Sequence, residues 1–287
     1  MDLTAGIRLQ QYTLDRQIGQ GGMGTVWAAS DERSGASVAL KLLRRGDSLD
    51  IARIRLLREA HATQRIVHPA IVPVMDVFEY EESPVLVMEL LRGETLRQLL
   101  LREQSLSLAQ AARILLPVAE ALREVHSGGI VHRDLKPENI FLQDVAGAAP
   151  AVRLLDFGVA RTLETRGSGP EQTPITALGS LIGTLAYMAP EQALRPSECD
   201  QRVDIWAFAV TLYEILSGCR PIEGRTAQET MRQLLVGGIT PLAVVMPDLP
   251  SEVSALVDSM LTRQPERRIA SFEPVVQALS LCAIARK

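Results

Sequence analysis

His132-Arg133-Asp134-Leu135-Lys136-Pro137-Glu138-Asn139 is the stretch on which the reading of this chain turns. It places a carboxylate, an ammonium and a neutral amide oxygen within a few residues of one another. Asp134 can orient an incoming hydroxyl and take its proton. Lys136 can neutralise charge near a transferred phosphoryl group. Asn139 offers an oxygen of the hard type that Mg²⁺ prefers. His132 reads as a packing and hydrogen-bonding residue, because one imidazole with no partner cluster makes no zinc site.

Downstream, Ile140 to Gln143 and Val152 to Leu155 read as short strands around an Ala/Gly/Pro loop, and Asp156-Phe157-Gly158 follows the second. A carboxylate at that strand end can join Asn139 as a second oxygen donor for Mg²⁺. Asp and Gly also favour ordinary turns, so a plain strand-end turn is the competing reading.

Upstream, Tyr12 to Ile18 reads as a strand leading into Gly19-Gln20-Gly21-Gly22-Met23-Gly24, with Thr25 to Ala29 as the next strand. A dinucleotide-binding turn needs a helix after the glycines, and a strand stands there instead. An NTPase phosphate loop needs Lys and Ser or Thr directly after the last glycine, where Thr25-Val26 stands. A plain turn and a glycine-rich hairpin over phosphates remain; only an unobstructed backbone approaches a triphosphate closely. In the third strand, Ser37 to Leu42, alternation sends Ala39 and Lys41 to one side. Lys41 could then reach phosphates while Ala39 leaves room for adenine; a solvent-facing lysine is the alternative. A helical period covers Ile51 to Gln64 and carries Glu59, whose carboxylate can pair with Lys41. Position alone also admits a solvated helix-face residue beside Arg55 and Arg58.

Ile71 to Phe78 and Val85 to Leu90 read as two further strands around the acidic turn Glu79 to Ser83, giving five strands and one helix in the first 90 residues. Helices are expected over Glu94 to Glu103, Ser107 to His126, Asp204 to Ser217, Glu252 to Leu261 and Phe272 to Ala285, the third buried on all sides. Thr162 to Thr176 is polar and rich in Gly, Pro and Thr, which reads as a mobile surface segment. The chain has 287 residues, 47% of them apolar and 22% charged, with a net charge of -4. That balance suits one two-lobed unit and asks for no nucleic acid. Cys199, Cys219 and Cys282 are too scattered for a disulfide framework or a cysteine-built zinc site, and a reducing, cytoplasmic setting is expected. No signal-length apolar run opens the chain and no stretch is long enough to span a bilayer.

Together these motifs resemble the eukaryotic-like Ser/Thr protein kinase family, in its bacterial branch, from about Tyr12 to about Ala283. The resemblance implies an α+β bilobal fold: an N-terminal extension over 1–11, an N-lobe of antiparallel sheet plus one helix over 12–90, and a mainly helical C-lobe over 91–287. It implies ATP and Mg²⁺ as cofactors. Ile18, Gly19, Gly21, Gly24 and Val26 would cover the nucleotide, beside Ala39 and Lys41. Met88 would be the gatekeeper, with the backbone of Glu89 to Leu91 on adenine and Phe141 under the ring. Glu59 would pair with Lys41, Asp134 and Lys136 would serve the transfer, and Asn139 and Asp156 would hold the metal. Ala189-Pro190-Glu191 resembles the close of the activation segment, with Glu191 pairing Arg268, and Asp204 resembles the buried aspartate that tethers the catalytic-loop backbone. Leu185 and Ile269 stand where proline is common in the family.

The implied activity is transfer of the ATP γ-phosphate to serine or threonine hydroxyls of proteins. Lys136 and the Gly183-Thr184 pair ahead of Tyr187 resemble Ser/Thr rather than Tyr specificity. Arg133 could bind a phosphate on the activation segment, with Thr173, Thr176 and Ser180 as candidate acceptors. Two other classes compete, a scaffolding pseudokinase and a small-molecule phosphotransferase. All the catalytic residue types are present, against the first, and the Ala189-Pro190-Glu191 close speaks against the second. A kinase homodimer and a membrane or sensor domain beyond this chain are the expected partners besides protein substrates.

Overall fold

Alternating apolar residues build the first part of the chain into a six-stranded antiparallel sheet, in the order β1-β2-β3-β4-β6-β5. The strands are β1 (Arg8–Leu9), β2 (Tyr12–Gly21), β3 (Gly24–Asp31), β4 (Ser37–Leu43), β5 (Val74–Tyr80) and β6 (Ser83–Glu89). The computed structural model describes residues 3–21, 24–43, 66–81, 83–155 and 185–284. These described residues fall into two compact units: one takes those up to Val67 and again from Ile71 to Arg92, the other takes His68–Ala70 and those from Gly93 onward. The expected helix over 51–64, with Glu59, lies outside the described residues.

In the first unit one sheet face carries the core. Leu14, Trp27, Val38, Leu40, Val85 and Val87 are buried in a single cluster, joined by Tyr12 and Phe78, whose rings stack with centroids 5.7 Å apart. Strand β4 runs through the middle and is buried on both faces, which explains its near-continuous apolar sequence. Most strand ends differ from the sequence expectation by one to three residues, with β2 running on to Gly21 and β6 starting at Ser83, and two differences change the sheet. Residues 8–9, read as part of an extension, pair with Tyr12 and Thr13 as β1 and bury Leu9 completely. The strand expected from Ile71 begins at Val74; Pro73 has no N–H to give a ladder.

The second unit is mainly helical. Its longest helices are α2 (Leu108–Ser127) and α4 (Arg202–Ser217), preceded by α1 (Leu96–Glu103) and α3 (Pro190–Leu194). After α4 come α5 (Ala227–Val236), α6 (Leu242–Val245), α7 (Ser251–Met260) and α8 (Glu273–Ile284). Ser107 starts α2 with a capping box: its side chain accepts from the Gln110 N–H, and the Gln110 side chain accepts from the Ser107 N–H. In α4 every residue from Val203 to Leu216 is buried, as expected for a helix apolar all round, and Gly218 ends it at φ +72°. The pattern reading assigns no helix to 227–236, although Thr226 caps it by accepting from the Glu229 N–H.

A small sheet, β7 (Gly93–Thr95), β8 (Ile140–Gln143) and β9 (Ala151–Leu154), sets the functional loop in place. Gly93 is at φ +137°, and a Cβ there would lie 2.0 Å from the Leu142 carbonyl oxygen, so no other residue fits. Because β7 pairs with β8, the start of α1 lies beside the turn Pro137–Asn139 that leads into β8.

Candidate active site

The loop between α2 and β8 carries Asp134, and the fold holds it from several directions. Asp204, in the first turn of α4, is fully buried and accepts from two backbone amides, His132 N–H on Oδ2 at 2.8 Å and Arg133 N–H on Oδ1 at 2.7 Å. It thereby acts as the tether that the sequence resemblance implied. His126, near the end of α2, donates through Nε2 to the same Oδ2 at 2.8 Å. The backbone between these anchors is strained: Arg133 sits at φ +64°, a region that non-glycine residues rarely occupy. Gln192 of α3 donates to the Arg133 carbonyl at 3.2 Å and adds a further restraint.

His132 is buried, and its ring nitrogens bond backbone groups of the loop and of the end of β9. Nε2 donates to the Leu155 carbonyl at 2.9 Å, and Nδ1 accepts from the Asp134 N–H at 3.3 Å. This pattern corresponds to the tautomer with its proton on Nε2. It supports the reading of His132 as a packing and hydrogen-bonding residue and not a metal ligand.

Asp134 is 7% exposed. Its Oδ2 accepts from Lys136 Nζ at 2.9 Å and from Asn139 Nδ2 at 3.0 Å, while Asn139 Nδ2 also reaches the Asp134 carbonyl at 2.7 Å. An ammonium and an amide thus fix the carboxylate in one orientation. With Nδ2 spent on Asp134, the amide atom that Asn139 can offer a cation is Oδ1, a hard oxygen. The Asn139 carbonyl accepts from the Leu155 N–H at 2.8 Å, which places the end of β9, and so the residue before Asp156, next to this loop. Asp156 itself, with Phe157 and Gly158, lies outside the described residues, as do Thr173, Thr176 and Ser180. Among the described residues, no group of three or more His, Cys, Asp or Glu is arranged to hold a metal ion.

In the first unit, ladder register gathers several of the remaining candidates. Gly19 pairs with Val26, Val26 with Lys41, and Lys41 with Leu86. In the adjacent row Ala39 stands between Ala28 and Met88. Directly opposed residues share a face, so Val26, Ala39, Lys41 and Met88 occupy the face away from the Leu40 core. Lys41 is 9% exposed, unusual for a lysine and unlike the solvent-facing alternative. Gly21 and Gly24 face each other at the end of the β2–β3 hairpin, and Gly24 at φ +146° uses a conformation that L side chains rarely adopt. Ile18 is exposed at an irregularity between Gln17 and Gly19. Met88 and Glu89 end β6, and Leu91 lies just beyond it, partly buried. Phe141 belongs to the second unit, in β8.

Further ion pairs brace the second unit around this loop. Arg268 is clamped to Glu191 by two bonds, Nη1–Oε1 at 2.6 Å and Nη2–Oε2 at 3.1 Å, and lies 5.0 Å from the centroid of the Trp206 ring. This is the pairing that the resemblance placed at these positions. Arg97 of α1 meets Glu138 and Glu214, and Tyr187 joins them. The sequence reading gave no structural role to His126, Gln192, Arg97 or Glu214. Their spacing carries no local signal, because each acts on a partner more than 40 residues away.

Comparison with known proteins agrees with this geometry. The family description "Protein kinase domain" matches residues 12–279. A probable serine/threonine-protein kinase of Corynebacterium efficiens, CE0033, is 37% identical over 288 residues, covering 96% of this chain and 42% of that protein. Serine/threonine-protein kinase PknA of Mycobacterium tuberculosis is 35% identical over 294 residues, covering all of this chain and 65% of PknA. The chain therefore spans between about two-fifths and two-thirds of the length of these curated relatives. The crystal structure of the Mycobacterium tuberculosis PknI kinase domain superposes with a TM-score of 0.74 at 25% identity, over 98% of this chain and 100% of that one. The chain belongs to the protein kinase domain family, in its bacterial eukaryotic-like Ser/Thr branch.

Proposed function

We propose that this chain transfers the γ-phosphate of ATP to serine and threonine hydroxyls of proteins, its own activation segment included. One observation carries the reading most: the Asp134 carboxylate, held by Lys136 and Asn139 on a loop whose backbone Asp204 pins. Oriented in this way, Asp134 aligns the substrate hydroxyl and receives its proton as the oxygen attacks phosphorus. Lys136 offsets charge on the transferring group. Lys41 anchors the α and β phosphates, Glu59 pairs with it, and Gly19, Gly21 and Gly24 let the backbone approach the triphosphate. Ile18, Val26, Ala39, Met88, Glu89, Leu91 and Phe141 line the adenine. Asn139 and Asp156 are the residues that would hold Mg²⁺; when bound it neutralises charge on the phosphates. The protein contributes chiefly positioning and electrostatic stabilisation.

Thr173, Thr176 and Ser180 are the proposed sites of self-modification, with Arg133 as the phosphate's partner. A cytoplasmic setting and a second kinase copy as partner belong to the same proposal, as does an attached membrane or sensor domain, the one part that the greater length of the curated relatives supports. Among the described residues no helix is long and apolar enough to cross a membrane.

The test incubates the purified chain with Mg²⁺ and radiolabelled ATP beside Asp134→Asn, with mass spectrometry to locate the label. Label on Thr173, Thr176 or Ser180 in the native chain alone is the expected result. Nucleotide binding with no transfer to itself or to any protein, under varied metals and partners, would move the assignment to a scaffold.

A further inference from the structure

Arg133, at φ +64°, is the strained residue of the catalytic loop, and two helices grip its backbone. On one side its N–H donates to Asp204 Oδ1 of α4 at 2.7 Å. On the other its carbonyl accepts from Gln192 Nε2 of α3 at 3.2 Å. That carbonyl belongs to the peptide unit joining Arg133 to Asp134. The N–H of the same unit donates to His132 Nδ1, at the longer distance of 3.3 Å. A peptide unit is planar and turns as one body. Holding its carbonyl therefore fixes the direction in which the Asp134 Cα, and the carboxylate beyond it, leaves the loop.

Gln192 is itself held. Its Oε1 accepts from the Ala189 N–H at 2.9 Å. An N–H on one side and a carbonyl on the other fix which end of the amide faces which partner. The preceding residue, Glu191, is clamped by Arg268, and Arg268 Nη1 also donates to the Arg202 carbonyl at 2.7 Å. One guanidinium thus spans α3 at Glu191 and the start of α4 at Arg202. Gln192 follows Glu191 directly, and Asp204 lies two residues beyond Arg202. The clamp therefore sets the spacing between the two side chains that grip Arg133. A strained backbone persists only where its surroundings over-determine it, and these contacts supply that.

We infer that Gln192 is a positioning residue for phosphoryl transfer: by holding the Arg133 carbonyl it passes the placement of α3, and of the Ala189-Pro190-Glu191 close, to the Asp134 carboxylate. Lys136 and Asn139 orient that carboxylate directly; Gln192 orients the backbone from which it springs. The inference rests on the kinase reading above.

The experiment uses two variants of the chain. Gln192→Glu keeps an oxygen for the Ala189 N–H and sets its other oxygen, which has no hydrogen to donate, against the Arg133 carbonyl. Gln192→Met fills similar space and keeps neither bond. In both, kcat on a serine peptide is expected to fall by about fivefold or more, with KM for ATP and for the peptide within about twofold of native, because binding survives and alignment is lost. The bond to Ala189 survives only in Gln192→Glu, so a loss shared by both variants follows the donor to Arg133 and not the start of α3. Hydrogen exchange read by mass spectrometry is expected to be faster over residues 132–139 in both variants and unchanged in α4. Native kcat in Gln192→Glu, a loss confined to KM, or unchanged exchange over 132–139 overturns the inference. If Gln192→Glu does not fold, Gln192→Met is read by the same measures. A native chain that transfers no phosphate to the peptide or to itself counts against the kinase reading, while exchange over 132–139 still decides whether Gln192 holds the loop.

Discussion

Asp204 and His126 meet at 2.8 Å beneath the catalytic loop, and the Asp204 carboxylate that receives this bond also receives the backbone amides of His132 and Arg133. Two helices, α2 and α4, thus converge on one buried carboxylate, and its acceptor capacity holds the Arg133 backbone at its positive φ. In Asp204→Asn one oxygen becomes an NH₂ group facing a backbone N–H or the His126 ring. Each buried donor left unsatisfied costs about 1–3 kcal/mol. Expected is a lower Tm and a fall in kcat of at least about tenfold, with KM for ATP little changed, because binding energy is intact and orientation is lost. Steady-state kinetics at several ATP concentrations check it; a larger change in KM than in kcat would contradict the role given to Asp204.

The Arg268–Glu191 clamp should be worth more to stability than any surface pair. The Arg268 side chain is fully buried and Glu191 is 15% exposed. Removing one partner of such a pair costs about 3–5 kcal/mol, since the other charge is left buried alone. Arg268→Ala also loses the stacking on Trp206. Denaturant unfolding of Arg268→Ala, Glu191→Ala and the double variant checks this, and the double variant is expected to be less destabilised than the sum of the singles. Additive losses would show that the two side chains act separately.

The cysteines should differ in reactivity. Burial, reinforced by the nearby Glu191, pushes the Cys199 thiol up to about 11. Cys219 is exposed at the end of α4. Because the thiolate is the nucleophile, alkylation at pH 8 is expected to label Cys219 first and Cys199 more slowly by on the order of tenfold or more. Peptide mapping after short exposure to iodoacetamide reads the order. Raising the pH from 8 towards 11 should accelerate labelling of Cys199, as its deprotonated fraction grows; faster labelling of Cys199 than Cys219 at pH 8 would contradict its burial.

Much of this was legible in the sequence because it is local. The strand around Ala39 and Lys41 shows as alternation, α2 as a helical period opened by Ser107 and Gln110, and α4 as an unbroken apolar run. The order of motifs from Gly19 to Arg268 sufficed for the family, and through it for the tether at Asp204 and the clamp at Glu191. Strand β7 escaped because its partner, β8, is more than 40 residues away. Helix α3 follows Ala189 and is too short for a period to show.

The sequence by itself determined the element types, the chemical inventory of the catalytic loop and the family, since each depends on residue identity and spacing over a few positions. Only the tertiary structure decided which groups hold that inventory in place. His126, Gln192 and Arg97 reach their partners through packing of helices and register of distant strands. Long-range contacts of this kind follow from the whole chain's burial of apolar surface, and no short window of sequence contains them.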